Sequence, residues 1–278
     1  MIYILIPVFN KIEMTLKCLE SIHKQNNKDV TVVIVDDGSF DDSTKIISKS
    51  YPDTVVLSGT GSLFWTGAIH LGINYILGVC NQKDWVLLMN NDVQLTQGVI
   101  EKLVLFSESK DRNVIVGALS IDLKDKDTII KSGTKIKSWS LNITNHFHNG
   151  DSISDLISFD AIEADLLTAR CLLHPIEVFW AIKNYDAELF PHYGGDDEFT
   201  SRAKRSGYEL YVLPSALVYL DNKEQAYSKS IFNRLFGVRS SINLINKWNF
   251  TRSSVPLYAQ PTYYFIAILK SIYILLKR

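Results

Sequence analysis

Acidic residues stand in three places along this 278-residue chain where local pattern would present them together. Asp36 and Asp37 follow a β-branched run, Asp92 closes the string WVLLMNND, and Asp196, Asp197 and Glu198 open a late helical pattern. Carboxylates gathered from separate strand ends repel one another, so such a cluster needs a cation or a proton-transfer task. A nucleoside diphosphate with a bridging divalent cation would supply the compensation. On that chemistry Asp37 accepts a hydrogen bond from a base edge, Asp92 binds the cation, and one of the late group takes a proton from an attacking hydroxyl. Each string also has a plainer use. Asp-Asp-Gly-Ser and Asn-Asn-Asp are good turn chemistry, and acids in a first helical turn complement the helix dipole.

The elements that must hold these residues alternate. Trp85–Met89 carries no polar residue, the mark of a strand covered on both faces, and ligands of open α/β sheets sit at the carboxyl edge of such strands. Ahead of it, Ile2–Ile6, Val30–Val35 and Thr54–Leu57 read as strands. Asn10 and Glu13 resemble a capping box for a helix to about Lys24, Asp41 can cap a helix to Ser50, and a third helix runs from about Ala68 to Val79. Beyond it the pattern predicts a helix over Gln97–Ser109 and a strand over Val114–Gly117. Thr128–Gly150, with Trp139, His146, Phe147 and His148, suits hairpins and a loop. A strand is expected within Phe159–Leu173, a helix from Pro175 through Ile182, a helix ending at Ser206 with Gly207 as its C-cap, and a strand from Tyr208 stopped by Pro214. Strand–helix alternation of this kind predicts βαβ units and a mostly parallel sheet.

Lys+Arg 29 against Asp+Glu 30 leaves a net charge of -1, which gives no global attraction to nucleic acid. The distribution is uneven. No acid follows Glu224, whereas Lys229, Arg234, Arg239, Lys247, Arg252, Lys270, Lys277 and Arg278 all do. Apolar residues at helical spacing predict an amphipathic helix over Lys229–Trp248. The apolar stretch Tyr263–Leu276 is too short to span a bilayer comfortably and fits an interfacial helix, or one packed on the rest of the chain or on a second subunit. Cys18, Cys80 and Cys171 lie far apart among apolar residues and read as buried thiols. The opening IYILI lacks a basic leader region and is read as a strand. Cytoplasmic residence, with the basic tail at the inner membrane face, is the expectation.

Taken in order, IPVFN at 6–10, VIVDDGS at 33–39, FWTGAIHLGI at 64–73, MNNDV at 89–93 and HYGGDDEFTSRAKRSGY at 192–208 resemble the family-2 glycosyltransferases of the GT-A fold. The strings cover most of the first 220 residues, and FWTGAIHLGI is most similar to bacterial rhamnosyl- and galactofuranosyl-type enzymes of surface polysaccharide synthesis. The resemblance implies an α/β, Rossmann-like, mostly parallel sheet flanked by helices, with a helical C-terminal extension. It divides the chain into a catalytic unit over 1–221 (nucleotide-binding half 1–117, acceptor half 118–221) and a basic tail over 222–278. By resemblance, Pro7, Val8 and Phe9 line the base and ribose pocket with Asp37, and Asn90-Asn91-Asp92 stands at the family's Asp-x-Asp, leaving Asp92 as the metal ligand. Aligning Phe199, Arg202 and Ala203 makes Asp196 the catalytic base, with Asp197 and Glu198 as acceptor-binding candidates.

Three positions depart from the family pattern. Gly195 replaces an acid common before the base, Asn90 replaces the first metal-site Asp, and Leu220 stands where related members have a metal-binding His, with Asp221 next to it. Phe64 and Trp65 have two uses, as core or as site, and Gly59, Gly61 and Gly67 around them permit close backbone approach to a ligand. Trp65 and Gly67 therefore join the donor-binding candidates. His70 and His192 read as packing or surface residues. The activity implied is inverting, divalent-cation-dependent (Mn²⁺ or Mg²⁺) transfer of a sugar from a UDP-, dTDP- or GDP-linked donor to a hydroxyl of a lipid-linked glycan, with oligomerisation through the tail open. A dehydrogenase or P-loop enzyme is excluded because IPVFN, without glycines, follows the first strand. A non-catalytic nucleotide- or glycan-binding subunit of a polysaccharide assembly complex is the alternative from another class.

Overall fold

The computed structural model describes residues 1–26, 29–146, 148–156, 158–221 and 230–277. The first half alternates as expected: β1 Ile2–Val8, α1 Ile12–His23, β2 Val30–Asp36, α2 Ser43–Ser50, β3 Val55–Ser58, α3 Phe64–Leu77, β4 Trp85–Leu88, β5 Val93–Leu95 and α4 Val99–Ser109. The middle contains β6 Val114–Asp122, β7 Ile129–Lys131, β8 Thr134–Ser138, β9 Ile143–His146, β10 Ile162–Glu163 and β11 Leu172–Pro175. Then follow α5 Glu177–Ile182, α6 Gly195–Arg205, β12 Glu209–Leu220, and the tail helices α7 Ile231–Phe236, α8 Leu244–Ser254 and α9 Gln260–Lys277.

The main sheet runs β10-β12-β6-β11-β4-β1-β2-β3, and β8 and β9 pair separately. β1 is parallel to β2 and β4, β2 to β3, and β12 to β6, while β11 is antiparallel to both its neighbours. Side chains alternate across this sheet with the two-residue period of a strand. Leu5, Val86 and Leu88 face the core under α3 and α6, whereas Ile4, Ile6, Leu87 and Met89 face the core under α1 and α4. With both faces covered, the sheet exposes its chemistry only at strand ends, where the loop after β4 carries Asn90 to Asp92.

Several element ends differ from expectation, each because a distant partner intervenes. The Asn10–Glu13 capping box does not form: Ile12 N–H donates to Asp41 Oδ2 at 2.9 Å, and Asn10 Oδ1 accepts from Phe40 N–H at 2.9 Å. Asp41 Oδ1 also accepts from Ser43 N–H at 3.3 Å, so one carboxylate serves the starts of both α1 and α2. Helix α3 begins at Phe64, so the FWTG string is its first turn. Pro175 ends β11 instead of opening α5, and β12 continues through Pro214 by shifting register between Leu213 and Leu217, as proline in a strand requires. Phe159–Leu173 holds only β10 and the start of β11, separated by an irregular stretch. Cys18 and Cys171 are buried, Cys80 is half-buried, and all three are free.

The tail is not one helix from 229 to 248. Asn243 Nδ2 donates to the Phe236 and Gly237 carbonyls at 3.0 and 2.9 Å, and its Oδ1 accepts from Asn246 N–H at 3.0 Å, which closes α7 and caps α8. Lys229, Phe147 and Arg278 lie outside the described residues. Phe250, Val255, Ala259 and Tyr263 pack with Leu166 and Phe190 in a third core cluster. Each large side chain so buried contributes about 1.5–3 kcal/mol. The tail is thereby docked onto the region that follows β10.

Candidate active site

The loop after β4, the irregular stretch before β11, the N-terminus of α6 and the tail helices together enclose a cavity of about 550 Å³. Asp92, Asp196, Asp197, Trp65, Asn90 and Arg170 line one part, and Phe250, Tyr263, Lys247 and Lys270 line the part built by the tail.

Helix α6 sets the late acids. Successive residues on a helix turn by about 100°, so three adjacent carboxylates cannot share one direction. Asp196 and Asp197 line the cavity, but Glu198 is 5% exposed and pairs with Arg202 through contacts of 2.9 and 3.0 Å. Arg202 also donates to the carbonyls of Ile182 and Asn184, so Glu198 ties α6 to the end of α5 and does not line the cavity. Phe199 stacks on Tyr185 with ring centroids 4.1 Å apart, and Tyr185 meets the edge of Trp65, which continues the support into the cavity. Asp196 Oδ1 accepts from Asp197 N–H at 3.0 Å and its Oδ2 from Ala169 N–H at 3.4 Å. Burial raises the Asp196 carboxyl above its ordinary range, against those two hydrogen bonds and the charge of Arg170. Gly195 has a steric reason: a Cβ there would stand 2.7 Å from Thr66 Oγ1 on α3. A side chain at position 195 has no room against Thr66.

Asp92 is the third carboxylate of the cavity. Its Oδ1 is buried with no hydrogen-bond partner among the described residues. Burial raises its pKa first of all, with Asp221 adding to the rise and Arg170 and Lys11 opposing it. Asp221 is placed by its N–H, which donates to the Asp92 carbonyl at 3.4 Å, across the register that pairs Val93 with Leu220. An unpartnered, desolvated carboxylate oxygen beside a second acid fits a hard cation that shares its shell with water and a ligand's phosphates. The protein's share is small, however. Leu220 is 1% exposed and faces the core, Asn90 Oδ1 accepts from Trp65 Nε1 at 2.8 Å, and Asn91 Nδ2 donates to Thr15 Oγ1 at 3.0 Å. Asn90 and Trp65 therefore shape the cavity wall, and Asn91 points to α1. Arg170, whose charge acts on both Asp92 and Asp196, was not singled out from sequence. The signal was present: it is the only basic residue in Phe159–Leu173.

The expected base pocket lies beside this cavity and differs in detail. Asp37 Oδ1 accepts from Gly61 N–H at 2.8 Å and Leu63 N–H at 3.2 Å, and Oδ2 from Phe64 N–H at 3.0 Å. Both oxygens are thus engaged in holding the turn into α3. A Cβ on Gly59 would meet Asp37 Oδ1 at 2.7 Å, so the glycine there admits this carboxylate, not a ligand. Gly67 packs on Leu63, Val8 is buried in the core, and Pro7 pairs with Val35 in the sheet. Phe9 remains at the surface of the pocket. Its ring and that of Phe64 hold the Arg239 guanidinium at 5.1 and 5.5 Å, a contribution from the tail. His192, edge-on to Phe64, lines the cavity instead of the outer surface, and burial with the charge of Arg239 pushes it down to about 4, so it is neutral at physiological pH. His70 bonds the Tyr185 carbonyl at 2.8 Å and is a packing residue.

Residues 3–162 match the sequence profile of glycosyl transferase family 2. A protein of Streptococcus pneumoniae serotype 4 called glycosyltransferase GlyG is 25% identical over 120 residues, which is 42% of this chain and 38% of that protein. Among solved structures, GalNAc-T7 with UDP, GalNAc and Mn²⁺ superposes with a TM-score of 0.62 at 14% identity, covering 90% of this chain and 50% of that one. S. aureus TarS 1-349 gives 0.57 at 13% identity, covering 100% and 92%. The mannosyltransferase PcManGT from Pyrobaculum calidifontis, in complex with GDP-Man and Mn²⁺, gives 0.57 at 11%, covering 99% and 74%. At these identities the likeness is one of fold, the GT-A fold.

Proposed function

This chain belongs to glycosyl transferase family 2, and on that premise we propose an inverting transferase that uses a nucleoside diphosphate sugar, with Asp196 as general base. One observation carries the proposal: a single cavity holds Asp196, with its carboxyl raised by burial, and Asp92, with a buried unpartnered oxygen, while Arg170 acts on both. In the proposed step the acceptor hydroxyl attacks the anomeric carbon from the face opposite the diphosphate. The bond from that carbon to the diphosphate oxygen breaks as the new glycosidic bond forms, and the hydroxyl proton passes to Asp196. No covalent enzyme intermediate is needed, and configuration inverts. Asp92, with Asp221 behind it, would hold a divalent cation (Mn²⁺ or Mg²⁺) that offsets charge on the departing diphosphate. Arg170 adds a fixed positive charge on the same side, and Trp65 with Asn90 positions the donor sugar. Phe9, Phe64 and Arg239 present a surface on which a base of a UDP-, dTDP- or GDP-linked donor can stack.

The catalytic unit would cover 1–221, with 1–117 on the donor side and 118–221 on the acceptor side, and 222–278 would complete the cavity wall. The acceptor would be a glycan, lipid-linked in bacterial surface polysaccharide synthesis. No described helix is long and apolar enough to cross a membrane. Exposed Phe265, Leu269, Tyr273 and Leu276 on α9, with Lys277, fit a face laid on the inner surface of the cytoplasmic membrane.

Thermal-shift screening of UDP-, dTDP- and GDP-sugars with manganese or chelator tests the donor assignment, followed by transfer with a glycan acceptor. Asp92→Ala is expected to weaken nucleoside diphosphate binding and abolish its dependence on manganese, because no other ionised group stands in the Asn-Asn-Asp loop. Equal affinity of variant and parent with and without manganese contradicts the assignment. Donor binding without hydrolysis or transfer would favour the non-catalytic binding subunit, for which the core-facing Leu220 speaks.

A further inference from the structure

The cavity is larger than its acids need, and its far wall has its own chemistry. Lys247 on α8 and Lys270 on α9 both line it. Lys270 Nζ donates to the Asn142 carbonyl in the turn between β8 and β9, which fixes the ammonium at the cavity wall. Neither lysine forms an ion pair among the described residues, and the Lys247 side chain makes no hydrogen bond to them. The two charges stand close enough to oppose each other: burial, then the charge of Lys247, lowers the pKa of Lys270. This mirrors the acids Asp92 and Asp196 of the same cavity, since like charges held together call for a counter-ion. Phe250 and Tyr263 add apolar faces to the same lining, with the charge of Asp197 acting on Tyr263, and Thr134, Thr144 and Ser271 add hydroxyls, a lining that suits a saccharide.

Resting on the reading of the cavity as a transferase site, we propose that Lys247 and Lys270 bind a phosphate group carried by the acceptor. The donor diphosphate would have its own partners in Arg170 and in the cation that Asp92 would hold, so a second anion site in the tail-built wall belongs to the other substrate. A phosphate fits because two ammonium groups without an acidic partner match a dianion, and charge-assisted hydrogen bonds to phosphate are among the stronger polar contacts. The phosphate can come from a lipid-linked saccharide or from a free sugar phosphate.

The test is calorimetry on the whole chain, first saturated with whichever of UDP, dTDP or GDP binds. Dodecyl phosphate and glucose 1-phosphate are then titrated as separate arms, with dodecyl maltoside and methyl glucoside as uncharged controls. At least one phosphate probe is expected to bind alongside the nucleotide, and Lys247→Gln to weaken it about tenfold, about 1.4 kcal/mol. Lys247→Gln breaks no contact of the fold, and Lys270→Gln then deepens the loss. Binding of dodecyl phosphate alone assigns a lipid-linked acceptor, and binding of glucose 1-phosphate alone assigns a sugar phosphate. Equal affinity in Lys247→Gln and parent overturns the proposal, as does displacement of the probe by nucleotide or equal binding of the uncharged controls. If no nucleotide binds but Lys247→Gln still weakens the phosphate probe, the lysine site stands and the donor assignment falls.

Discussion

Asp196 is a carboxylate held against its own ionisation. Its folded pKa is raised by burial, so the sign of its linkage is opposite to that of a salt-bridged acid. Its contribution to stability is fully present below the unfolded pKa and is lost as pH rises through the folded value. Asp196→Asn should therefore raise the thermal midpoint at pH 7, with the gap to the parent closing in acid; a lower midpoint at pH 7 contradicts the assignment. Arg170 works in the other direction, because its charge lowers the pKa of both Asp196 and Asp92. Arg170→Gln should shift the acidic limb of the pH profile of kcat/KM to higher pH, and Arg170→Lys should restore it in part. An unmoved limb with a higher KM and an unchanged kcat would make Arg170 a binding residue only. The convergence of Asp92 and Asp196 was legible from residue types at strand and helix ends. The role of Arg170 was not, because it depends on an irregular stretch between β10 and β11 with no periodic signal.

The same contrast runs through the elements. Strands β1, β2 and β4 were legible because apolar runs stop at turn-forming residues. Element starts were misplaced where the cap comes from elsewhere in the chain, as with Asp41 at Ile12 and Asp37 at Phe64. Nothing within a local window records such a partner. The Gly195 departure is likewise a contact between elements, since α6 and α3 approach until Thr66 occupies the space of a side chain. Gly195→Ala should cost about 1–3 kcal/mol from overpacking. Thr66→Ala removes a hydroxyl that is buried without a partner among the described residues, and the double variant should recover most of the loss. Denaturant unfolding of the four proteins measures this as a coupling energy. Additive effects would mean that the two helices do not meet as described.

On the scale of the whole molecule, the tail is part of the cavity wall. Its basic composition suggested a membrane-facing segment, yet Phe250 and Tyr263 are buried against Leu166 and Phe190, and α8 and α9 wall the cavity. Periodicity alone could not choose between these fates, because one stripe can be buried while another stays exposed. The exposed face of α9 still predicts sedimentation with anionic vesicles that weakens as salt rises, by screening of Lys277 and its neighbours. Recovery in the supernatant at every salt concentration would leave the tail a packing element only. Transfer in this cavity with Asp196 as its base is tested most directly by pairing turnover with donor affinity in Asp196→Asn. A general base acts on the acceptor and leaves donor ground-state contacts intact, so turnover should fall by roughly 10²–10⁴-fold while donor affinity is unchanged. Asp197→Asn, one residue around the helix, should lose far less. Full turnover in Asp196→Asn, or a dead Asp197→Asn beside an active Asp196→Asn, would remove Asp196 from the role of base.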